Sequence, residues 1–137
     1  MPIVFRVNHD ARVVVAAAYG VLTDAEVFRY QQDVWSRADV AGFDELIDMT
    51  RVTRVELPSA DRIRELAKLA AAMDSTASRS RFAIVASSDI AFGLGRMFQT
   101  HRHLEPLSTK EVGVFRSMKE ALAFLRIDCP LTIPAFV

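Results

Sequence analysis

The chain has 137 residues, the common size of a single domain, so we expect one hydrophobic core. Hydrophobic residues make up 51% of the sequence, which argues against disorder and leaves apolar surface for a partner. The 17 basic residues balance the 17 acidic ones, and no basic excess of the kind seen in nucleic-acid-binding proteins is present. We therefore expect no nucleic-acid partner.

Two further features bear on location and cofactors. The single cysteine, Cys129, excludes an internal disulfide and a metal site built from several cysteines. The first ten residues lack the basic and apolar regions of a signal peptide, and the longest apolar run, residues 13–22, is too short to span a bilayer. The sequence thus predicts a soluble, cytoplasmic protein with no membrane span and no cofactor.

The first half of the chain begins with a predicted hairpin. Residues 3–7 and 12–19 are rich in β-branched residues and flank a turn, and Gly20 is expected to close the second strand. Thr23 and Glu26 match a capping box, which predicts that a helix begins there and ends before Gly42. We expect Trp35 on the core-facing or partner-facing side of this helix.

The second half alternates strands with helices. Strands are predicted at 43–49, 81–86 and 111–115, and helices begin near Ser59, near Ser88 and at a second capping box at Ser117. After Ile127 two prolines and several bulky apolar residues predict an extended tail.

The order β-β-α-β-α-β-α-β-α predicts an α/β fold with a five-stranded mixed sheet and an N-terminal antiparallel hairpin. We expect one domain over residues 1–127 and an extended C-terminal tail over 128–137. The tail would expose an apolar segment on a chain with zero net charge, which predicts a homodimer.

A candidate ligand or partner site follows from this topology. Ligands of open α/β sheets collect beyond the carboxyl ends of the parallel strands, where helices begin. The polar side chains expected at or near this edge are Asp48, Thr50, Ser59, Ser87, Ser88, Asp89, Arg96 and Arg116. They could bind a polar group, or they could be helix caps and loop contacts.

Three motifs give no firm chemistry. Gly93 and Gly95 lack the third small residue of a dinucleotide fingerprint, so we expect close packing on the sheet or a groove for an apolar ligand. His101 and His103 lie on different sides of a helix, which indicates a solvated basic turn and not a metal site. No nucleophile motif is present, so no catalytic residue is predicted.

Three segments carry a family resemblance. They are FDELIDMTRVTRVELPSADRIREL (43–66), RFAIVASSDIAFGLGRMF (81–98) and VFRSMKEALAFL (114–125). In this order they resemble the SpoIIAA-like family, bacterial domains related to the anti-sigma-factor antagonists (STAS domains) that share a core topology with lipid-binding Sec14 domains. The resemblance implies the same fold over about residues 3–127.

One position departs from the antagonists. Their phosphorylated serine lies in a turn that corresponds to residues 56–59, with 48–53 as the preceding linker, and Leu57 stands at the acceptor position. Regulation by that phosphorylation is therefore not expected, although Ser59 lies two residues further on. The resemblance implies a non-enzymatic regulatory domain that binds an unknown protein partner. The alternative is a carrier of a small apolar ligand or lipid.

Overall fold

The sheet contains five strands in the order in which they occur along the chain. The computed structural model describes residues 2–57, 59–127 and 134. The strands are β1 (Ile3–Asn8), β2 (Val13–Thr23), β3 (Asp44–Glu56), β4 (Ser80–Val85) and β5 (Lys110–Phe115). β1 pairs antiparallel with β2, and every other neighbouring pair is parallel. This is the mixed sheet with an opening hairpin that the sequence predicts.

Four α-helices connect or follow the strands. They are α1 (Asp24–Trp35), α2 (Asp61–Ala72), α3 (Asp89–Leu104) and α4 (Met118–Leu125), and a short 3-10 turn (Ala38–Val40) follows α1. No helix among the described residues is long and apolar enough to cross a membrane.

Side-chain caps begin three of the helices as predicted. Thr23, Ser88 and Ser117 each accept a hydrogen bond from the amide three residues further on. α2 differs, because its N-cap is Ala60, which makes no side-chain cap. The expectation that Ser59 caps this helix is therefore wrong by one residue.

The helices cover the two faces of the sheet unequally. α1, α2 and α3 pack on the face that carries Val14, Ala16, Ile47 and Ile84. α4 packs on the opposite face, where Leu46 is fully buried. Because apolar residues alternate between two covered faces, the central strands read as continuous hydrophobic runs.

β2 and β3 continue further than the sequence suggests. Gly20 does not end β2, since the strand runs on to Thr23. Gly20 takes a positive φ of +66°, and the pairing with β3 shifts register between Gly20 and Val21. β3 ends at Glu56 and not near residue 49, and its second half pairs with this continuation of β2. Residues 48–53, expected to form a linker, are therefore strand.

The free edge of β5 is occupied by side chains of α3. Gln99 Nε2 donates to the carbonyl oxygen of Val112 at 2.7 Å, and His103 Nε2 accepts from the Val112 amide at 3.0 Å. Edge strands whose backbone groups are already bonded are poor templates for pairing with another chain. This edge is thereby protected at its centre.

The predicted tail lies outside the described residues except for Pro134. Pro134 is buried, and its carbonyl oxygen accepts a hydrogen bond from Tyr19 Oη at 2.6 Å. At this point the tail contacts the domain of its own chain.

Candidate functional site

An apolar cavity of about 120 Å³ lies between the sheet and helices α1, α2 and α3. The sheet contributes side chains of β2, β3 and β4, and the three helices form the opposite wall of a cavity that is partly open to solvent. The apolar lining residues are Leu22, Val27, Phe28, Ile47, Met49, Val55, Leu57, Ile63, Leu66, Phe82, Ile84, Leu94, Gly95 and Phe98. Five polar residues also line it: Asp24, Tyr30, Gln31, Glu45 and Arg62.

The buried polar end of the cavity is organised by Glu45. This carboxylate belongs to β3 and is only 2% exposed. Its Oε2 accepts from Tyr30 Oη at 2.8 Å and from Trp35 Nε1 at 3.1 Å, and its Oε1 accepts from Lys110 Nζ at 3.2 Å. A buried charge is tolerable only when it is paired and hydrogen-bonded, and here both oxygens are engaged.

Lys110 and Tyr30, which both contact Glu45, have shifted pKa values. Its ammonium lies 3.1 Å from the ring centroid of Trp35, a cation–π contact. Burial lowers the pKa of Lys110, and the charge of Glu45 opposes that shift. Burial, reinforced by the same carboxylate, raises the pKa of Tyr30 well above its ordinary value. The Tyr30 hydroxyl therefore stays protonated and donates to Glu45.

Asp24 and Arg62 form the more exposed polar wall. Arg62 Nε donates to Asp24 Oδ2 at 2.7 Å, which ties the first turn of α1 to the first turn of α2. The Arg62 guanidinium also lies 4.1 Å from the ring centroid of Phe28. The hydrogen bond from Arg62 lowers the pKa of Asp24. This pair bridges the two helices where they line the cavity.

Gln31 is the remaining polar residue of the lining. It is 8% exposed, and its amide nitrogen donates to Met73 Sδ at 3.7 Å, a weak acceptor. The contact with Met73 joins α1 to the C-terminal end of α2.

The polar edge predicted from the strand ends consists of separate local contacts. Asp48 Oδ1 accepts from the amide and the hydroxyl of Thr50, both within β3. Ser88 Oγ is used by the cap of α3. The register places Asp48 opposite Val85, the last residue of β4, so the predicted level in the sheet is right. However, β3 does not end there.

Arg116 joins two of the other predicted residues. Its guanidinium donates to the carbonyl oxygen of Ser87 at 3.0 Å and lies 2.9 Å from Asp89 Oδ1. It also lies 4.1 Å from the ring centroid of Phe92, a cation–π contact. Ser59 is exposed before α2, and Arg96 is exposed on α3. Within the described ranges, no hydrogen bond or ion pair connects either of them to Arg116 or to Asp48.

The two glycines of α3 have different roles. A Cβ at Gly95 would lie 3.0 Å from Val114 Cγ1, so this residue allows close packing of α3 on the sheet and also lines the cavity. A Cβ at Gly93 would meet nothing within 4 Å. The packing interpretation is confirmed for Gly95 and wrong for Gly93.

The basic turn at the end of α3 is less solvated than expected. Arg102 is 2% exposed and forms an ion pair with Asp74, while the other oxygen of Asp74 accepts from the amides of Thr109 and Lys110. No group of three or more potential metal ligands occurs among the residues described. This contact fixes the start of β5, and hence Lys110, relative to α3.

Sequence reasoning missed Glu45, Lys110 and Gln31. One signal is present: Glu45 stands inside FDELIDM, which the sequence predicts to be a buried strand. A carboxylate in such a strand requires a buried cation or several donors. Nothing in the sequence indicates that the cation is Lys110, which is 65 residues away.

Comparison with known proteins supports the fold. No protein-family profile matches the sequence, and no curated protein matches it significantly. A solved structure is similar over 90% of this chain and 93% of its own, with a TM-score of 0.57 and 20% sequence identity. It is an uncharacterized protein of the DUF3478 family with a SpoIIAA-like fold from Shewanella loihica PV-4. The chain therefore has the SpoIIAA-like α/β fold that the sequence resemblance implied.

Proposed function

We propose that this protein is a non-enzymatic binding module that takes up a small apolar molecule in the cavity between the sheet and helices α1, α2 and α3. The observation that carries the proposal is the cavity itself, which is apolar on nearly every side and continuous with the core. Ligand pockets in proteins are concave and mostly apolar, with few polar groups to orient the ligand.

The chemistry of the lining favours binding over catalysis. Tyr30 donates its hydroxyl to Glu45, and Glu45 is held by Lys110 and Trp35, so the groups that could act as acid or base are engaged with each other. A general base must reach a substrate proton, and this carboxylate already accepts three hydrogen bonds. The cavity is thus suited to hold a molecule, as the carrier hypothesis from the sequence requires.

The position of Leu57 supports the same view. The sequence resemblance places Leu57 at the antagonists' acceptor position, and its side chain is half-buried and lines the cavity. A phosphoacceptor needs an accessible hydroxyl, which leucine lacks. A regulatory domain that binds a protein partner is also compatible with the SpoIIAA-like fold.

Filling the cavity tests the proposal. Leu66→Trp places a large ring into the lining, whereas Leu107→Trp makes the same change at a side chain that is 63% exposed. We expect calorimetric titration with benzene to give binding that Leu66→Trp weakens at least about tenfold and Leu107→Trp leaves unchanged. Native mass spectrometry of the purified wild type should show a retained small molecule that the Leu66 variant lacks.

Two results would contradict the proposal. One is a wild-type protein that binds neither benzene nor any other apolar probe. The other is equal binding by both tryptophan variants at equal thermal stability, which would place the bound molecule outside this cavity.

A further inference from the structure

The two edges of the sheet differ in how their backbone is occupied. At the β5 edge, side chains of α3 bond both backbone groups of Val112. β1, at the opposite edge, pairs only with β2. It contains no proline and no break in its register, and Arg6 is its single charged residue. Because edge strands are normally protected by charges, prolines or bulges, β1 is the edge that is open to pairing.

The register of the hairpin identifies the backbone groups that face outward. The amide of Tyr19 donates to the carbonyl oxygen of Pro2 at 2.7 Å, so Pro2 directs its backbone toward β2. Consecutive residues of an antiparallel strand direct their backbone groups to opposite sides, so Ile3, Phe5 and Val7 direct theirs away from β2. Within the part of the chain that the structure describes, no hydrogen bond engages these outward groups.

The side chains of the same three residues lie on the face that α1 covers. Ile3 and Val7 pack in the core there, and the Phe5 ring contacts the Tyr30 ring edge-on, with 6.5 Å between centroids. Phe5 is nevertheless 39% exposed in the middle of the strand. A further strand beside β1 would cover this ring and bond the outward backbone groups at the same time.

A second copy of β1 matches this edge. Identical strands related by a two-fold axis pair antiparallel, with the same surface on both sides. Centring the pair on Phe5 sets Phe5 opposite its own copy and Ile3 opposite Val7 of the partner subunit, so the pairs on the α1 face are all apolar. The same register sets Arg6 opposite Val4 of the partner subunit. A pair centred on Arg6 would set two guanidinium groups directly opposite each other, which is destabilising, and one centred on Val4 would pair fewer residues of β1.

We infer that β1 is a self-association surface, which pairs antiparallel with β1 of a second copy of this chain, centred on Phe5. The sheets of the two copies then continue into each other, with both α1 helices on one face. This interface requires neither a ligand in the cavity nor the C-terminal tail. No residue of β1 lines the cavity.

Proline at an outward-facing position tests the pairing. Val7→Pro removes an amide that points away from β2, so β1 keeps its bonds to β2 while the edge loses a donor in each copy. Light scattering of the full chain at micromolar concentration should show a dimer, and Val7→Pro should raise its dissociation constant at least about tenfold. Val7→Ala shortens the same side chain but keeps the amide, and it should raise the constant less. Thermal unfolding checks that both variants are folded.

Cysteine cross-linking tests the register and does not need the proline variant to fold. With Cys129→Ser as the background, Phe5→Cys faces its own copy across a hydrogen-bonded pair, whose Cα atoms lie about 5.5 Å apart, within the range of a disulfide. Arg6→Cys faces Val4 of the partner subunit. Under mild oxidation, Phe5→Cys should form a covalent dimer and Arg6→Cys should not.

Several outcomes would overturn the inference. A wild-type chain that is monomeric at this concentration would do so, and so would a folded Val7→Pro variant that dimerises as strongly as Val7→Ala. Cross-linking of Arg6→Cys in place of Phe5→Cys would rule out pairing centred on Phe5. A dimer in which neither cysteine cross-links would have its interface elsewhere.

Discussion

At the scale of single residues, Glu45 and Lys110 form the buried ion pair next to the cavity. Glu45→Gln leaves the Lys110 ammonium without its counter-ion, and we expect a loss of about 3–5 kcal/mol in the free energy of unfolding. The double variant Glu45→Gln/Lys110→Met removes both charges and should recover more than half of that loss. Urea denaturation measures each value.

An exposed ion pair provides the control for this prediction. Arg54 and Glu56 lie on the outer part of β3, with side chains 67% and 49% exposed. Glu56→Gln should change the stability by no more than about 1 kcal/mol. A loss at Glu45 as small as this would show that the buried pair is not held in the arrangement described.

Tyr30 makes the stability sensitive to alkaline pH. Its pKa is raised above the ordinary value of 10.0 by burial and by Glu45. Because the folded state holds this proton more tightly than the unfolded state, the contribution is complete below pH 10.0 and is lost as the pH rises through the folded pKa. We expect the stability of Tyr30→Phe to fall less steeply than that of the wild type above pH 10.0. Denaturant titrations at pH 9 and pH 11 give the loss of stability of each protein over this range. An equal loss for Tyr30→Phe and the wild type would contradict this assignment.

At the scale of elements, α3 offers a matched pair of glycines. Gly93→Ala adds a methyl group in open space and should stabilise the protein by up to about 1 kcal/mol through helix propensity. Gly95→Ala forces its Cβ against Val114 on β5, and overpacking of this kind destabilises by about 1–3 kcal/mol. Thermal melts should therefore move in opposite directions. If both variants were stabilised, α3 would not pack on the sheet as closely as described.

The elements could be predicted because their signals are local. Capping residues at Thr23, Ser88 and Ser117 mark helix starts, and β-branched runs mark the strands. The continuation of β2 past Gly20 and of β3 past residue 49 could not be predicted, since each segment becomes a strand by pairing with the other. Strand pairing between distant segments depends on tertiary context more than on the residues of one segment.

The candidate site was less predictable for a related reason. The topology rule located Asp48 at the level of the last residue of β4, but Asp48 and Ser88 are satisfied by their own segments. The cavity arises where three helices meet the sheet, and its polar end joins β3 to Lys110 of β5. A cavity of this kind depends on how helices pack, which no local pattern encodes.

At the scale of the whole molecule, Pro134 is the described point at which the predicted tail meets the sheet. α4 packs on β3, β4 and β5. Ala17 of β2, on the same face as Val15, is nevertheless 2% exposed. Tyr19, two residues further along β2, donates its hydroxyl to Pro134. The sequence predicts a homodimer to which the tail contributes; the Pro134 contact lies within one chain, and the dimer stays a prediction.

Truncation distinguishes the two arrangements. If the tail covers its own β2, deletion of residues 128–137 exposes apolar surface, so the truncated protein should be less stable in urea and should associate more strongly than the intact protein by light scattering. Tyr19→Phe removes the hydroxyl that donates to Pro134 and should cost about 1 kcal/mol without changing the mass. A tail exchanged between two copies gives the opposite result: the intact protein would be a dimer, and the truncated one a monomer. A dimer that survives truncation would have its interface on another surface. The β1 edge is one candidate for that surface, and Leu104 and Leu107, an exposed apolar pair at the end of α3 and just after it, are the other.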